Sequence, residues 1–495
     1  MRMKWTGRLL SLVTAVCLLI PAMSGTVEAS APRGFNPEQI RTAYGIDKLP
    51  FNGAGQTIAI IAAFDYPNAA ADLAAYNNYF GIQQMNGLPG QPACTADAGP
   101  NPCFEVVKVE SANQNGVLYW SGNTTWQKEA AADVQWAHTI APGADILLVL
   151  AKTDQLPDMI KAVDQAVAMG ASVVSMSWGI PEKPEYTELN SHFDIPGVMF
   201  VAASGDRGKA MLYPATAPNV LSVGGTYLNM EYDGTYRSET VYNNRVGGSV
   251  GGVSQYQPAP AYQQALGRVN RSGPDVAWAA GFNGFPTYVN GKWVALGGTS
   301  LGAAQWAGMI ALVNQANGGR FTDIGRIYAA AADDANRYFN DVTKGVGACQ
   351  TSDCSAGVGY DLATGLGSPK ADTLVYYLAG LPQPVNSAPP ATVAATCAKL
   401  ACATEFTGIV EGSASDRNGT YVKTTLTGGT RYHFDLAMTG ATGVLIYDEN
   451  GKYLTVFAKG QAGKTGYSWT APADGTYYLK VFALKEPVQF TLVVK

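Results

Sequence analysis

The chain has 495 residues, a formal charge of -5 and only three histidines; 14% of residues are charged, against roughly 25% in average soluble domains, and 47% are hydrophobic. Low charge without a basic block argues against a nucleic-acid surface, and the apolar content argues against disorder. The length predicts about two to four domains.

The chain opens with a cationic MRMKWTGR, an apolar LLSLVTAVCLLIPAM and a small-residue tail ending in Val27-Glu28-Ala29, the pattern of a secretory signal peptide. A membrane anchor, the rival reading, needs about twenty apolar residues and meets Pro21. Residues 1–29 are therefore expected to be cleaved, near Ala29 or Ala31, leaving a secreted, extracellular protein with no membrane span. Loss of Arg2, Lys4, Arg8 and Glu28 takes the charge from -5 to -7.

Cys17 leaves with the signal, and six cysteines remain as close pairs: Cys94 with Cys103, Cys349 with Cys354, Cys397 with Cys402. An even count in a secreted chain predicts disulfides, each closing a local loop worth about 2 to 3 kcal/mol on the chain-entropy model. Zinc is the poorer reading, because no histidine lies in these loops.

From residue 56, QTIAIIAAF reads as a buried parallel strand and residues 69–79 as a helix. The alternation continues with a helix at 126–138, a strand at 145–151, a helix at 157–169, and strands at 171–177, 197–203 and 220–224. Strand and helix alternating in this way predict an α/β fold with a doubly wound, mostly parallel sheet, and ligand chemistry just beyond the strands' carboxyl ends. Residues 30–380 are assigned to this domain and the Pro-rich 381–396 to a linker. Residues 397–495 show short alternating runs separated by Asn-Gly and Asp-Gly turns, which predict a small antiparallel β-sandwich domain. Its tyrosines 432, 447, 453, 477 and 478 would pair across strands or line a binding face.

Two stretches carry chemistry. Gly297-Gly298-Thr299-Ser300 precedes an Ala- and Leu-rich helical run, placing Ser300 at a helix N-terminus, where developing negative charge is stabilised. A serine nucleophile needs a base, yet His138, His192 and His433 all lack the context of a catalytic histidine. In WQKEAAADVQWAH, Glu129 and Asp133 are four residues apart on one helical face with no Lys or Arg three or four positions away. A solvated polar face would ordinarily carry such a partner.

With these residues in view, the chain resembles the sedolisins, serine-carboxyl peptidases of subtilisin-like fold with a glutamate in place of the histidine base. The resemblance covers residues 35–380 and rests on four motifs in order: Glu129 with Asp133, Asp206 in ASGDRG, Gly298-Thr299-Ser300, and Asp341-Val342 followed by Gly357-Val358-Gly359-Tyr360-Asp361. It implies that Ser300 is the nucleophile and Glu129 its base, that Asp133 shares a proton with Glu129, and that protonated Asp206 donates to the oxyanion. It implies further that Ser175, Ser177, Trp178 and Gly179 form an edge that binds the substrate backbone; the blander reading, a buried strand end, is compatible with this. One structural calcium ion would be held by Asp341 and Asp361 carboxylates with Val342, Gly357 and Gly359 carbonyls; the rival is a salt-bridged glycine loop without metal. The C-terminal part resembles the prepeptidase type in texture alone.

Three features depart from the family pattern. Only some twenty-five residues separate the signal from IAII, where a long propeptide is usual. Ala62 stands where many relatives have an acid, and Arg207 follows Asp206, which would favour its ionised form if the guanidinium faced it. The expected function is an acid-acting, secreted, monomeric endopeptidase on protein or peptide substrates, with an optimum near pH 3 to 5 set by carboxylates of reference pKa about 4. The alternative is an inactive secreted peptide- or surface-binding protein on a peptidase scaffold; a glycoside hydrolase with paired carboxylates would leave Ser300 without a role.

Overall fold

The computed structural model describes residues 34–95, 99–110, 121–207, 210–231, 234–244, 247–281, 284–349, 354–383, 404–410, 419–438, 442–448, 453–460, 463–483 and 488–494. The expected signal peptide, residues 384–396 of the expected linker and the Cys397–Cys402 pair lie outside these residues.

The central sheet has eight strands. Seven run parallel in the order Val276–Ala279, Val220–Met230, Met199–Ala203, Val173–Met176, Thr57–Ala63, Asp145–Ala151, Phe104–Val109, and Tyr236–Val241 pairs antiparallel with Val220–Met230. The strand Thr57–Ala63 shows why its sequence reads as one apolar run. Ile58, Ile60 and Ala62 pack into one core and Ala59, Ile61 and Ala63 into the other, so both faces are covered. On the first face lie the helices Thr124–Ile140 and Thr299–Asn317, here called the carboxylate helix and the serine helix; on the second lies Leu156–Ala168.

The expected helices appear within two residues of their bounds, the first as Ala69–Phe80. The expected strand 171–177 is shorter, Val173–Met176, and 220–224 runs on to Met230 because Tyr236–Val241 supplies an antiparallel partner. Three strands of this sheet were not anticipated: the edge strand Phe104–Val109, whose exposed and half-buried residues give it no continuous apolar signal, the antiparallel Tyr236–Val241, and the four-residue Val276–Ala279.

The disulfides Cys94–Cys103 and Cys349–Cys354 form as expected. Towards the C-terminus, two four-stranded antiparallel sheets share a core of Leu426, Phe434, Val444, Ile446, Tyr477, Leu479 and Val481. Tyr447 stands opposite both Tyr478 and Tyr453 in register, the cross-strand pairing expected of such residues. The Tyr478 hydroxyl donates to the Glu231 carboxylate in the α/β part.

Candidate active site

The carboxylate helix starts at Asn123, whose side chain caps the Thr125 and Trp126 amides at 3.0 and 3.3 Å. The serine helix starts at Gly298, with φ of 146°; a Cβ there would stand 2.7 Å from Asp206 Oδ2. Glycine is therefore needed both for the backbone and for the acid's approach. The two helices lie close because Gly308 has no side chain: a Cβ would meet Ile140 Cβ at 2.8 Å. Gln135 adds a second tie, its amide donating to Tyr288 O at 2.7 Å and accepting from Tyr288 N at 2.9 Å in the hairpin that leads into Ser300.

This packing joins residues 129, 206 and 300. Ser300 is half-buried in the first turn of its helix. Its hydroxyl interacts with the Glu129 carboxyl, without a hydrogen bond of regular geometry, and its carbonyl accepts from Ser177 Oγ at 3.4 Å. Burial pushes Glu129 up to about 7; the Ser300 hydroxyl opposes this and the Asp206 charge adds to it. Asp133 is buried one turn along, with no hydrogen bond of regular geometry at either carboxyl oxygen. Burial first, then the Glu129 charge, hold it well above the usual carboxylate range, with Ser177 opposing. The two acids titrate as a pair, sharing less charge than two free carboxylates. Ala62, on the neighbouring strand, packs in the same apolar cluster as the helix residues Ala130, Ala131 and Ala132 and supplies no polar partner.

Asp206 follows the carboxyl end of the strand Met199–Ala203. Its Oδ1 accepts from the Thr299 amide at 2.8 Å, and the Thr299 hydroxyl accepts from Gly205 N at 3.2 Å. Burial raises Asp206 to about 6, against the Thr299 contacts and the Arg207 charge. Arg207 is exposed, and its effect is the smallest of these, so it does not keep the acid ionised.

The proposed peptide-binding edge divides. Ser175 is buried within its strand, paired on one side with Ile60 and on the other with Val201, so its backbone is committed to the sheet. That corrects its expected role. Ser177, Trp178 and Gly179 lie half-buried beyond the strand end, next to the serine helix, and the Trp178 indole N–H has no partner.

In the 341–361 loop, Gly359 N donates to Asp341 Oδ2 at 2.8 Å and Gly357 N to Asp361 Oδ2 at 3.0 Å, so both acids meet the same short segment. Asp361 Oδ1 also accepts from the Ala363 and Thr364 amides at 2.8 Å each. Val342 packs against Val241 and Ala363. Neither acid takes part in an ion pair among the described residues, which disfavours the salt-bridged alternative. No cluster of three or more His, Cys, Asp or Glu side chains occurs among the described residues either, so a metal here would rest on two carboxylates and backbone carbonyls. Also among them, no helix is long and apolar enough to cross a membrane.

Sequence reasoning named Thr299 within the serine motif without giving its amide a role, and did not single out Gly308; the small residue in an otherwise apolar helix was the available signal.

Residues 116–333 match the model of the subtilase family. The chain is 29% identical to kumamolisin from Bacillus sp. (strain MN-32), over 69% of this chain and 63% of that protein. It is 25% identical to sedolisin from Pseudomonas sp. (strain 101), over 71% and 62%. It thus spans under two thirds of the length of these curated relatives. The solved structure of the Pseudomonas serine-carboxyl proteinase, in complex with two molecules of pseudo-iodotyrostatin, superimposes with a TM-score of 0.60 over 71% of this chain and 99% of that one. At 24% identity, this is a likeness of fold.

Proposed function

We propose that the chain, which is similar to kumamolisin and sedolisin, is a secreted serine-carboxyl endopeptidase that cleaves protein or peptide substrates in acid. The observation that carries this reading is the meeting of Glu129 in the second turn of one helix, Ser300 in the first turn of another and Asp206 beyond a strand end, with both acids raised by burial. Secretion rests on the signal-like residues 1–29.

The chemistry follows from the geometry. Ser300 Oγ attacks the scissile carbonyl carbon while its proton passes to ionised Glu129, and protonated Asp206, beside the Thr299 amide, donates to the new oxyanion. When the tetrahedral adduct collapses, Glu129 returns the proton to the departing amine. Water then repeats the cycle on the acyl-enzyme and releases Ser300. Asp133 holds the charge state of Glu129 from behind. The substrate backbone would lie along Ser177, Trp178 and Gly179.

The working state needs Glu129 ionised and Asp206 neutral. Asp206 sets the basic side, since above about pH 6 it loses the proton it must donate. Part of the rise of Glu129 comes from the Asp206 charge, and that part vanishes when Asp206 is neutral. The optimum is therefore expected below about pH 6. A pH–rate profile on an internally quenched peptide library, with the wild type beside Ser300→Ala, tests this. Turnover that peaks in acid and disappears in the variant is expected; an optimum above pH 7, or equal turnover in the variant, would sink the reading.

We further propose that Asp341, Asp361 and the carbonyls of Val342, Gly357 and Gly359 hold one calcium ion. Two acids converge on one glycine segment with no cationic partner among the described residues, a donor set that suits a hard cation. The ion would brace the loop and take no part in the chemistry. Calcium should raise Tm in the wild type and not in Asp341→Asn; a Tm indifferent to both calcium and chelator would remove the ion from this account.

A further inference from the structure

The Asp206 carboxyl works only if its turn is held, and that turn has a dedicated clamp. Residues 241–244 and 247–252 form a glycine-rich strap between the active-site turn and the 341–361 loop. On one side, Gly248 N donates to Asp206 O at 2.9 Å and Val250 N to Gly205 O at 3.0 Å. On the other side, Val241 N donates to Lys344 O at 2.9 Å, Asn243 Nδ2 to Val346 O at 2.7 Å and Ala348 N to Ser249 O at 2.8 Å.

Ser249 is the node of this strap. It is completely buried, and its hydroxyl accepts from Gly225 N at 3.0 Å while donating to Ala363 O at 2.8 Å. Its amide donates to Tyr242 O at 2.7 Å. The contacts from the neighbouring Gly248 and Val250 to the active-site turn flank it. Gly247 leaves no slack, since a Cβ there would lie 2.6 Å from the Asp206 carbonyl oxygen.

We propose that Ser249 is a positioning residue for the oxyanion acid: its buried hydroxyl locks the strap to the central sheet and to Ala363, its carbonyl ties the strap to the 341–361 loop through Ala348 N, and the strap fixes Asp206 against the Thr299 amide. This rests on the oxyanion role of Asp206 proposed above. The charged and titratable groups that bear on Asp206 are Glu129, Arg207 and Tyr242; Tyr242 lies in the strap, where its backbone carbonyl accepts from Ser249 N, while Glu129 and Arg207 lie outside it.

The test uses the full chain and a quenched peptide, with Ser249→Ala, Gly247→Ala and Asp206→Asn beside the wild type, each followed by kcat, KM, pH profile and Tm. Ser249→Ala frees the strap and Gly247→Ala pushes on the Asp206 peptide itself. Both are expected to lower kcat about tenfold or more with KM within about twofold, because misplacement of a catalytic group acts on the transition state. In Ser249→Ala the basic limb of the profile should move up, since Asp206 loses part of the Thr299 contact that favours its ionised form. If Ser249→Ala fails to fold, Gly247→Ala decides alone. Folded strap variants with unchanged kcat and limb beside an impaired Asp206→Asn would overturn the inference and leave the function intact. Full activity in Asp206→Asn would instead remove the oxyanion role itself.

Discussion

Two buried acidic sites in this molecule are built in opposite ways. Asp275 is fully buried and fully answered: Arg271 pairs with it at 2.6 and 2.8 Å, Tyr328 donates at 2.7 Å, and the Ser222 amide at 2.7 Å. Asp133 is as deeply buried, yet only the Ser177 hydroxyl opposes its burial, and only the Ser300 hydroxyl opposes that of Glu129, neither through a hydrogen bond of regular geometry. A buried polar group without a partner costs about 1 to 3 kcal/mol, more if it is charged. Folding alone would favour the Asp275 solution everywhere. That the carboxylate helix departs from it marks the pair as a place where charge state, rather than stability, is being set.

The sharpest way to break this comparison is to neutralise one acid at each site. Glu129→Gln removes the proposed base and should lower kcat by about 10²- to 10⁴-fold while Tm holds or rises, because an unanswered carboxyl has been replaced by a neutral amide. Unchanged kcat with a fall in Tm would make Glu129 structural and erase the contrast.

The reverse result is expected at the other site. Arg271→Met leaves Asp275 buried without its cation and should cost about 3 to 5 kcal/mol in denaturant unfolding, with kcat per folded molecule close to wild type. The double variant Arg271→Met with Asp275→Leu should recover much of that loss. Failure to recover would mean that the surrounding Tyr328, Gln263 and Ser222 contacts carry the energy, and that the ion pair is not the unit.

What was legible in the sequence follows the same divide between local and distant. The spacing of Glu129 and Asp133 is a one-turn relation, and Gly298-Thr299-Ser300 is contiguous, so both could be read directly. The convergence of residues 129, 206 and 300 came from the family resemblance, because no periodicity reports a contact across such separations. Ser175 was misread for a related reason: its place in the chain suggests a strand end, while only the sheet order shows strands on both sides of it. The strap was invisible as well. Its glycines carry no periodic signal, and only the 2.6 Å clearance between a Gly247 Cβ and Asp206 O shows close packing there.

A third buried titratable group bears on the acid setting from the opposite direction. His138, on the carboxylate helix, has its Nε2 at 2.9 Å from Gln83 O and a buried Nδ1 without a partner. Burial lowers its pKa to about 4. Because the unfolded chain binds this proton near pH 6.5, the stability from a neutral His138 is complete above that value and is lost as pH falls through about 4, at most about 3 kcal/mol. Glu129, Asp133 and Asp206 have the reverse sign: their folded pKa values are raised, so their contribution is present below about pH 4 and lost as pH rises through the folded values, about 7 for Glu129 and about 6 for Asp206. The carboxyls therefore make the fold an acid fold, and the one buried histidine on their helix limits how far. His138→Gln keeps a donor for Gln83 O and removes the proton. Its Tm should fall relative to wild type at pH 7 and gain on it steadily between pH 6 and pH 4; two curves that stay parallel over that interval would show that His138 carries no acid limit.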